Sequence, residues 1–347
     1  MQFIQRLYNF TVTIKNFIKE QRASQVPVAL PTKIKMWLKG FFSEAYVIYN
    51  LKENDSSQYL SDYARYKTRF INSDYEVILR NKNVFRELVS SYLDVPKDYG
   101  YVRGGRIYST QGAEMSWEEF MDVVEDSRLI IKPVTGGGGF GVVQLQRSEG
   151  KFFLNKRENR PEDVKNYFAS LKNCIISEFA QQGGYADKIF PDTANTIRLL
   201  TILEPGSGRP FMPIAIHKFG TSRSFPSDNR HQGGISAKID IETGVMGKAT
   251  YMSPAEHRQV WITRHPETDE PIEGVKIPNW QSFKDKLLFT AGKFPFLKYI
   301  GWDVVATDTG VTVIEGNNFS GVKLLQIHQG LLTIPQLYDF YKYHKVI

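Results

Sequence analysis

Two stretches of this chain carry residues whose types and spacing could do chemistry, and GWDVVATDTGVTVIEGNN, Gly301 to Asn318, is the more informative. Its apolar runs flank Asp308-Thr309-Gly310, which suits a three-residue hairpin loop with glycine in the left-handed position. Pairing centred on Thr309 sets Asp303 opposite Glu315 and leaves Asn317 on the same face, two residues on. Directly opposed side chains have Cβ atoms about 5 Å apart, and two carboxylates that close repel unless a cation or proton lies between them. An oxygen-only trio suits a hard cation such as magnesium, which commonly takes one or two protein carboxylates and completes its shell with substrate phosphates. Neither Cys nor His joins the cluster, which disfavours zinc. The alternative is an exposed hairpin with solvated acids; Val304, Val305, Val311, Val313 and Ile314, apolar on both faces, argue for a buried pair instead.

The second stretch is IIKPVTGGGGFGVVQLQ, Ile130 to Gln146. Gly136, Gly138 and Gly141 satisfy G-x-G-x-x-G, but a dinucleotide turn hands the chain to a helix. Here the glycines run into Val142, Val143 and Leu145 and then a polar turn, so the pattern is strand, glycine loop, strand. A Walker A loop needs Gly-Lys-Ser/Thr after its last glycine, and this chain has Gly141-Val142-Val143. A glycine-rich hairpin can still hold phosphate, because successive backbone N–H groups approach an anion without Cβ interference. Lys132, at the strand end, adds a point charge. The competing interpretation is a surface loop.

The elements that must position these groups follow from punctuation and period. Residues 1–74 read as helical, broken at Val26-Pro27, at Leu30-Pro31 and in the polar KENDSS. Residues 75–182 begin with the helix NKNVFRELV; the next helix, from Trp117, has Ser116 as N-cap and Glu119 three positions on, a capping box. Strand LIIKP, the glycine hairpin, strand FFLN, helix PEDVKNYFASL and strand CIISEFA complete a small α+β lobe. Residues 183–347 carry TIRLLTILE, MPIAIHKFG and SAKIDIETG, a helix at Phe283 to Lys293, and the terminal hairpin, giving a second α+β lobe.

With 347 residues, 41% hydrophobic and 23% charged, the chain is an ordinary globular composition with room for two or three subdomains. The single cysteine, Cys174, excludes an intramolecular disulfide and reads as packing in a reducing compartment. Between Met1 and Gly40 seven basic residues face Glu20 alone, so +6 of the +7 net charge sits there. No zinc-finger, RRM or basic-zipper signature accompanies it, and nucleic acid is not an expected partner. No apolar stretch reaches the ~20 residues of a membrane span, and Arg6, Lys15 and Lys19 interrupt any signal sequence, so a cytoplasmic protein is expected. Phe3, Leu7, Phe10, Ile14, Phe17 and Ile18 recur at three and four, an amphipathic helix with a basic face. It could contact the inner face of a membrane, or pack against the lobes or a second copy in a homodimer.

Taken together, Lys132-Pro133 with GGGGFG, ISEFA, and GWDV with VIEGNN resemble the ATP-grasp fold, an α+β fold in which two lobes clamp ATP. NKNVFREL, NTIRLLT, SDNRHQGGISAKID, the HPET stretch, IPNW and the terminal hairpin are similar to the sugar-transfer-associated ATP-grasp proteins of surface-polysaccharide (capsule) clusters, over about residues 75–330. The resemblance implies that Lys82 and Lys132 contact ATP phosphates, that Gly136, Gly137, Gly138 and Gly139 form a lid, and that Glu178, Phe179 and Ala180 form the hinge reading adenine. It places Asp187 at the ribose, Asp303, Glu315 and Asn317 on magnesium, and Arg198, Lys218 and Asn229 around an acyl phosphate. Lys67 and Arg80 compete with Lys82 for its role, and His217, His231 and His265 receive none. The implied activity is an ATP-dependent carboxylate–amine ligase with Mg²⁺, joining small-molecule or lipid-linked sugar and amino-acid substrates. A sugar kinase and a non-catalytic ATP-binding scaffold of a polysaccharide assembly complex are the alternatives.

Overall fold

Glycine and proline punctuate the apolar runs, and the described residues form sixteen strands in two eight-stranded sheets. The computed structural model describes residues 2–23, 26–124, 127–136, 138–253, 255 and 258–347; of residues 2–10, 22 and 23 it describes the backbone alone. The first sheet holds β1 (Asp98–Arg103), β2 (Arg106–Tyr108), β3 (Glu114–Met115), β4 (Arg128–Pro133), β5 (Val143–Ser148), β6 (Lys151–Leu154), β7 (Arg157–Asn159) and β8 (Asn173–Glu178), in the order β3-β2-β1-β8-β4-β5-β6-β7. β4 and β5 are antiparallel, with Ile131 facing Val143, so the glycine run is the loop of a hairpin. Phe120 and Phe168 from the helices Trp117–Val123 and Pro161–Ser170 pack on Ile131, Leu145 and Ile176. The capping box is present: Glu119 N–H donates to Ser116 Oγ at 3.1 Å and Ser116 N–H to Glu119 Oε2 at 2.7 Å. Cys174 is part of this core, and burial pushes its thiol up.

The second sheet contains β9 (Ile197–Leu203), β10 (Pro210–Phe211), β11 (Ala215–Phe219), β12 (Ile235–Ile239), β13 (Met246–Ser253), β14 (Arg258–Ile262), β15 (Tyr299–Ala306) and β16 (Val311–Asn317). Its order is β14-β13-β12-β11-β9-β15-β16, with β10 attached to β9. The period of two sends β9 and β15 side chains to opposite faces. Ile197, Leu199, Trp302 and Val304 pack with Phe283 and Leu287 of the helix Trp280–Gly292. Leu200, Ile202, Ile216 and Tyr299 pack under Leu325, Leu337 and Phe340 of the C-terminal helices and Leu60 and Ala64 near the N-terminus.

The N-terminal region is helical at Gln2–Ala23, Leu30–Leu38, Ala45–Ile48 and Asp62–Thr68. Pro31, expected to break a helix, instead lies in the first turn of one, where its missing N–H has no intrahelical partner to lose. Buried Asn72 fastens the region to β15 by donating to Tyr299 O at 2.7 Å and accepting from Tyr299 N–H at 3.1 Å. In the first helix Phe17 packs on Phe42 and Tyr63, at ring separations of 5.0 and 6.3 Å, so this part of its apolar face lies against the protein, while Ile18 beside it is exposed. The side chains of Phe3, Arg6, Leu7 and Phe10 lie outside the described residues. Among the described residues no helix is long and apolar enough to cross a membrane.

The terminal hairpin differs from its expected turn. Next to the turn the pairs are Ala306 with Val311 and Val304 with Val313, a ladder that would set Asp303 opposite Ile314. A bulge then shifts the register by one, and Asp303 faces Glu315. Gly310 is not left-handed; Thr307 Oγ1 accepts from Gly310 N–H at 2.8 Å and Thr307 N–H donates to Gly310 O at 3.0 Å, closing the loop without a positive φ there.

Candidate active site

Strand register brings the charged residues together. Arg198 on β9 pairs with Ile216 on β11 and with Asp303 on β15, and Asp303 pairs with Glu315 on β16. All four share one face; Lys218 and Asn317, two residues along their strands, extend the row. Half of this face is the apolar core under the C-terminal helices, and the other half is the charged row.

Arg198 donates Nε to Asp303 Oδ1 at 2.9 Å and Nη2 to Oδ2 at 2.5 Å. Lys218 Nζ lies 3.1 Å from Asp303 Oδ1 and 3.1 Å from Asp228 Oδ1. Asp228 is held in turn by Thr196 N–H at 2.7 Å and Oγ1 at 2.6 Å. Burial alone would raise Asp303, but Arg198 and Lys218 override it and hold the carboxyl far below its usual range. Burial opposes the charged form of both cations, and these carboxylates reverse that and raise them.

Asn317 Nδ2 donates to Asp303 Oδ2 at 3.1 Å. Asp303 therefore has four N–H donors, as many as a carboxylate's lone pairs accept. Glu315 is less engaged, with Lys82 Nζ 3.4 Å away. Its carboxylate and the Asn317 amide oxygen are the hard donors that fit magnesium as they stand, and Asp303 becomes a third only if one of its cations turns away. Among the described residues no group of three or more His, Cys, Asp or Glu side chains is arranged to hold a metal.

From the first lobe, Lys82 opens the helix Lys82–Ser90, whose N-cap Asn81 accepts from Asn83 N–H at 3.0 Å. Its Nζ donates to Gly136 O at 2.8 Å, tying the glycine loop to Glu315. Lys67 instead donates to Val346 O at 3.0 Å and Arg80 pairs on the surface with Glu76. Lys132 is buried; burial, reinforced by the Arg86 and Lys82 charges, brings it down to about 8 against the pull of Glu315 and Asp98. Gly136, Gly138 and Gly139 have φ of 117°, 74° and 73°, left-handed backbone that L side chains rarely adopt. Asn229 Nδ2 donates to Gly138 O and so joins the second lobe to the loop. Gly137 lies outside the described residues.

These groups line one cavity of about 570 Å³ between the sheets, within the range of small-molecule sites. Glu178, Phe179 and Ala180 line it where β8 ends, with Glu178 Oε1 accepting from Lys97 N–H at 2.8 Å and the Phe179 ring lying 3.6 Å from Arg128. Asp187 is not brought in: it sits exposed on the helix Gly184–Ile189, accepting from Gln182 Nε2 at 3.2 Å, and is not part of the lining. Of the histidines, His231 borders the cavity. His217 is buried against Tyr185 OH at 2.8 Å and kept neutral by that burial, down to about 3. His265 bonds Gly220 O at 2.9 Å.

Asp228 was missed in the sequence although it stands beside Asn229 in SDNRHQGG; the signal was that a lysine on a buried strand needs a carboxylate. Glu20 and Arg65, from the helical N-terminal region, also line the cavity, and no sequence pattern points to them.

A glycine hairpin in one α+β lobe faces a cation–carboxylate row in a second across one cavity, an architecture of the ATP-grasp class. The chain belongs to the sugar-transfer associated ATP-grasp family, whose model matches residues 61–339. No curated protein sequence matches it. Solved structures it is similar to include the D-cycloserine synthetase DcsG (11% identity over 88% of this chain and 82% of that one, TM-score 0.43). D-alanine–D-alanine ligase from Bacillus anthracis is similar at 12% identity over 77% and 69%, with TM-score 0.39. L-amino acid ligase from Bacillus licheniformis is similar at 11% identity over 78% and 48%, with TM-score 0.39.

Proposed function

We propose that the protein is an ATP-dependent ligase that activates a carboxylate as an acyl phosphate and joins it to an amine, decorating a sugar in surface-polysaccharide synthesis. The observation that carries this reading is the convergence of Lys82, Lys132, Arg198 and Lys218 with Glu315 and Asn317 on one cavity. Membership of an ATP-grasp family described as sugar-transfer associated supports the nucleotide and the setting. Lys82, Lys132 and the glycine loop bind the phosphates, and the Glu178–Ala180 segment takes the base. Glu315 and Asn317 would hold magnesium, joined by Asp303 if one of its cations turned away, and the ion would supply charge neutralisation on the phosphates. Arg198 and Lys218 hold the negative charge that builds on the transferred phosphoryl group, a task of positioning and electrostatics that needs no covalent enzyme nucleophile. The attacking carboxylate oxygen forms a bond to the γ-phosphorus as ADP leaves; the amine then adds to the acyl carbon, phosphate leaves, and the amine's proton goes to solvent.

The test is ADP release with panels of acids and amines. Release that requires both partners supports ligation. Release with a sugar alone, without an acid, would replace this reading by a sugar kinase, and binding without turnover by a scaffold.

A further inference from the structure

Part of the cavity wall comes from the N-terminal helices and the loop after β11, through Glu20, Arg65 and Arg230. Phe319, two residues beyond Asn317, forms part of this wall. Arg65 lies over its ring at 3.8 Å and Arg69 at 4.6 Å, so the ring face orients two guanidinium groups. Arg230 stands half-buried in the turn Arg230–Gln232, with its Nε shielded from solvent. Its Nε has no hydrogen-bond partner, and the one polar neighbour of its Nη2 is the neutral amide oxygen of Gln259 in that side chain's hydrogen-bonding orientation. Among the described residues, no carboxylate lies within ion-pair distance of Arg65 or Arg230. Of the acids around this wall, Glu44 pairs with Lys323, Asp62 accepts from Phe42 N–H at 2.8 Å and lies 3.9 Å from Lys323, and Glu20 borders the same cavity outside ion-pair distance of both arginines. A half-buried guanidinium without an ion-pair partner carries a desolvation cost, and a substrate anion would offset it.

We infer that Arg65 and Arg230 form a second anion subsite, distinct from the ATP phosphate contacts, that takes an oxyanion of the acceptor: a phosphate or diphosphate of a linked sugar, or a substrate carboxylate. The inference rests on the ligase reading for the name of the ligand, and on Arg230 and the cavity for the site. Arg65 Nε donates to Ser320 O at 3.1 Å, which fixes that guanidinium and leaves its two Nη groups as donors beside those of Arg230 for planar or tetrahedral oxyanions. Phe319 is on the same chain segment as Asn317, and both line the one cavity. Glu20 borders the same chamber and offers an acidic contact to a cationic part of the same molecule.

The experiment is calorimetric titration of pyrophosphate and, separately, of glucuronate into protein saturated with magnesium and a non-hydrolysable ATP analogue, so that the first phosphate site is filled. Wild type is expected to bind one equivalent of at least one anion; stronger pyrophosphate binding assigns the phosphate source, stronger glucuronate binding the carboxylate source. Arg230→Gln should weaken that binding at least tenfold and leave analogue affinity within about twofold. Its melting temperature should hold or rise, since an uncompensated charge has been removed; a structural arginine would instead lower it. Arg65→Gln, at the ring face, is the second variant and should weaken the same anion. Wild type that binds the analogue but neither anion overturns the inference alone, as does Arg230→Gln binding both anions as tightly as wild type. Wild type that binds neither anion nor analogue overturns this inference and the nucleotide reading together.

Discussion

Replacing Lys132 by methionine should stabilise the empty protein while weakening its hold on ATP. The ammonium is buried 7% exposed between the Arg86 and Lys82 charges, and its pKa falls from 10.5 to about 8. A drop of that size corresponds to about 3 kcal/mol against the charged form. Methionine, of similar length and without charge, removes that cost, which is already net of the Coulomb attraction of Glu315 and Asp98, so a gain of about 1–3 kcal/mol at pH 7 is expected. The sign with pH follows from proton counting. Between about 8 and 10.5 the unfolded chain holds the lysine proton and the folded chain does not, so Lys132 contributes a rise in stability with pH over that window. The penalty is fully present below it. Urea unfolding of wild type and Lys132→Met from pH 6.5 to 10 reads this: the advantage of the variant should be largest at the low end and shrink above pH 8. The affinity for a non-hydrolysable ATP analogue should fall in wild type as the ammonium deprotonates above pH 8, and the variant should start weak and show no such fall. A variant destabilised at pH 7, or one binding the analogue as tightly as wild type, would refute the reasoning.

Three other substitutions probe what holds the site. Gly139→Val puts a β-branched residue at φ 73° with its Cβ 3.0 Å from Ser227 Oγ, so analogue binding should weaken about five- to thirtyfold, as ~1–2 kcal/mol of strain implies, measured by calorimetry. Asn72→Ala strands Tyr299 N–H and O in the core, where each unsatisfied group costs about 1–3 kcal/mol, and urea unfolding should show a loss of at least that size. Gly316→Ala directs a methyl to within 2.6 Å of the Phe85 ring, and overpacking of about 1–3 kcal/mol should lower the melting temperature.

Local pattern carried much of this fold. The two β-strands around the glycines, the capping box at Ser116 and the pairing of Asp303 with Glu315 were all legible, because each rests on neighbours in sequence. The last was reached through a turn that the protein does not form: a bulge restored the register that the simple hairpin assumed. Pro31 shows the same limit, since proline serves equally to stop a helix and to start one. What sequence could not supply was contact between distant segments. The Asp228 and Lys218 pair, the placing of Glu20 and Arg65 at the cavity and the exposure of Asp187 depend on how the helical region and the loop after β11 fold over the sheet. The face shared by Arg198, Lys218 and Asp303 needed the strand order β11-β9-β15, which no spacing encodes.

The central claim is that this cavity makes an acyl phosphate, and hydroxylamine tests it most directly by trapping that species as a hydroxamate. Wild type with ATP, magnesium and an acid substrate should form one hydroxamate per ADP, and Glu315→Gln, at an unchanged melting temperature, should lose about 100-fold or more of that rate. ADP released without hydroxamate, or a Glu315→Gln variant that matches wild type, would contradict the account.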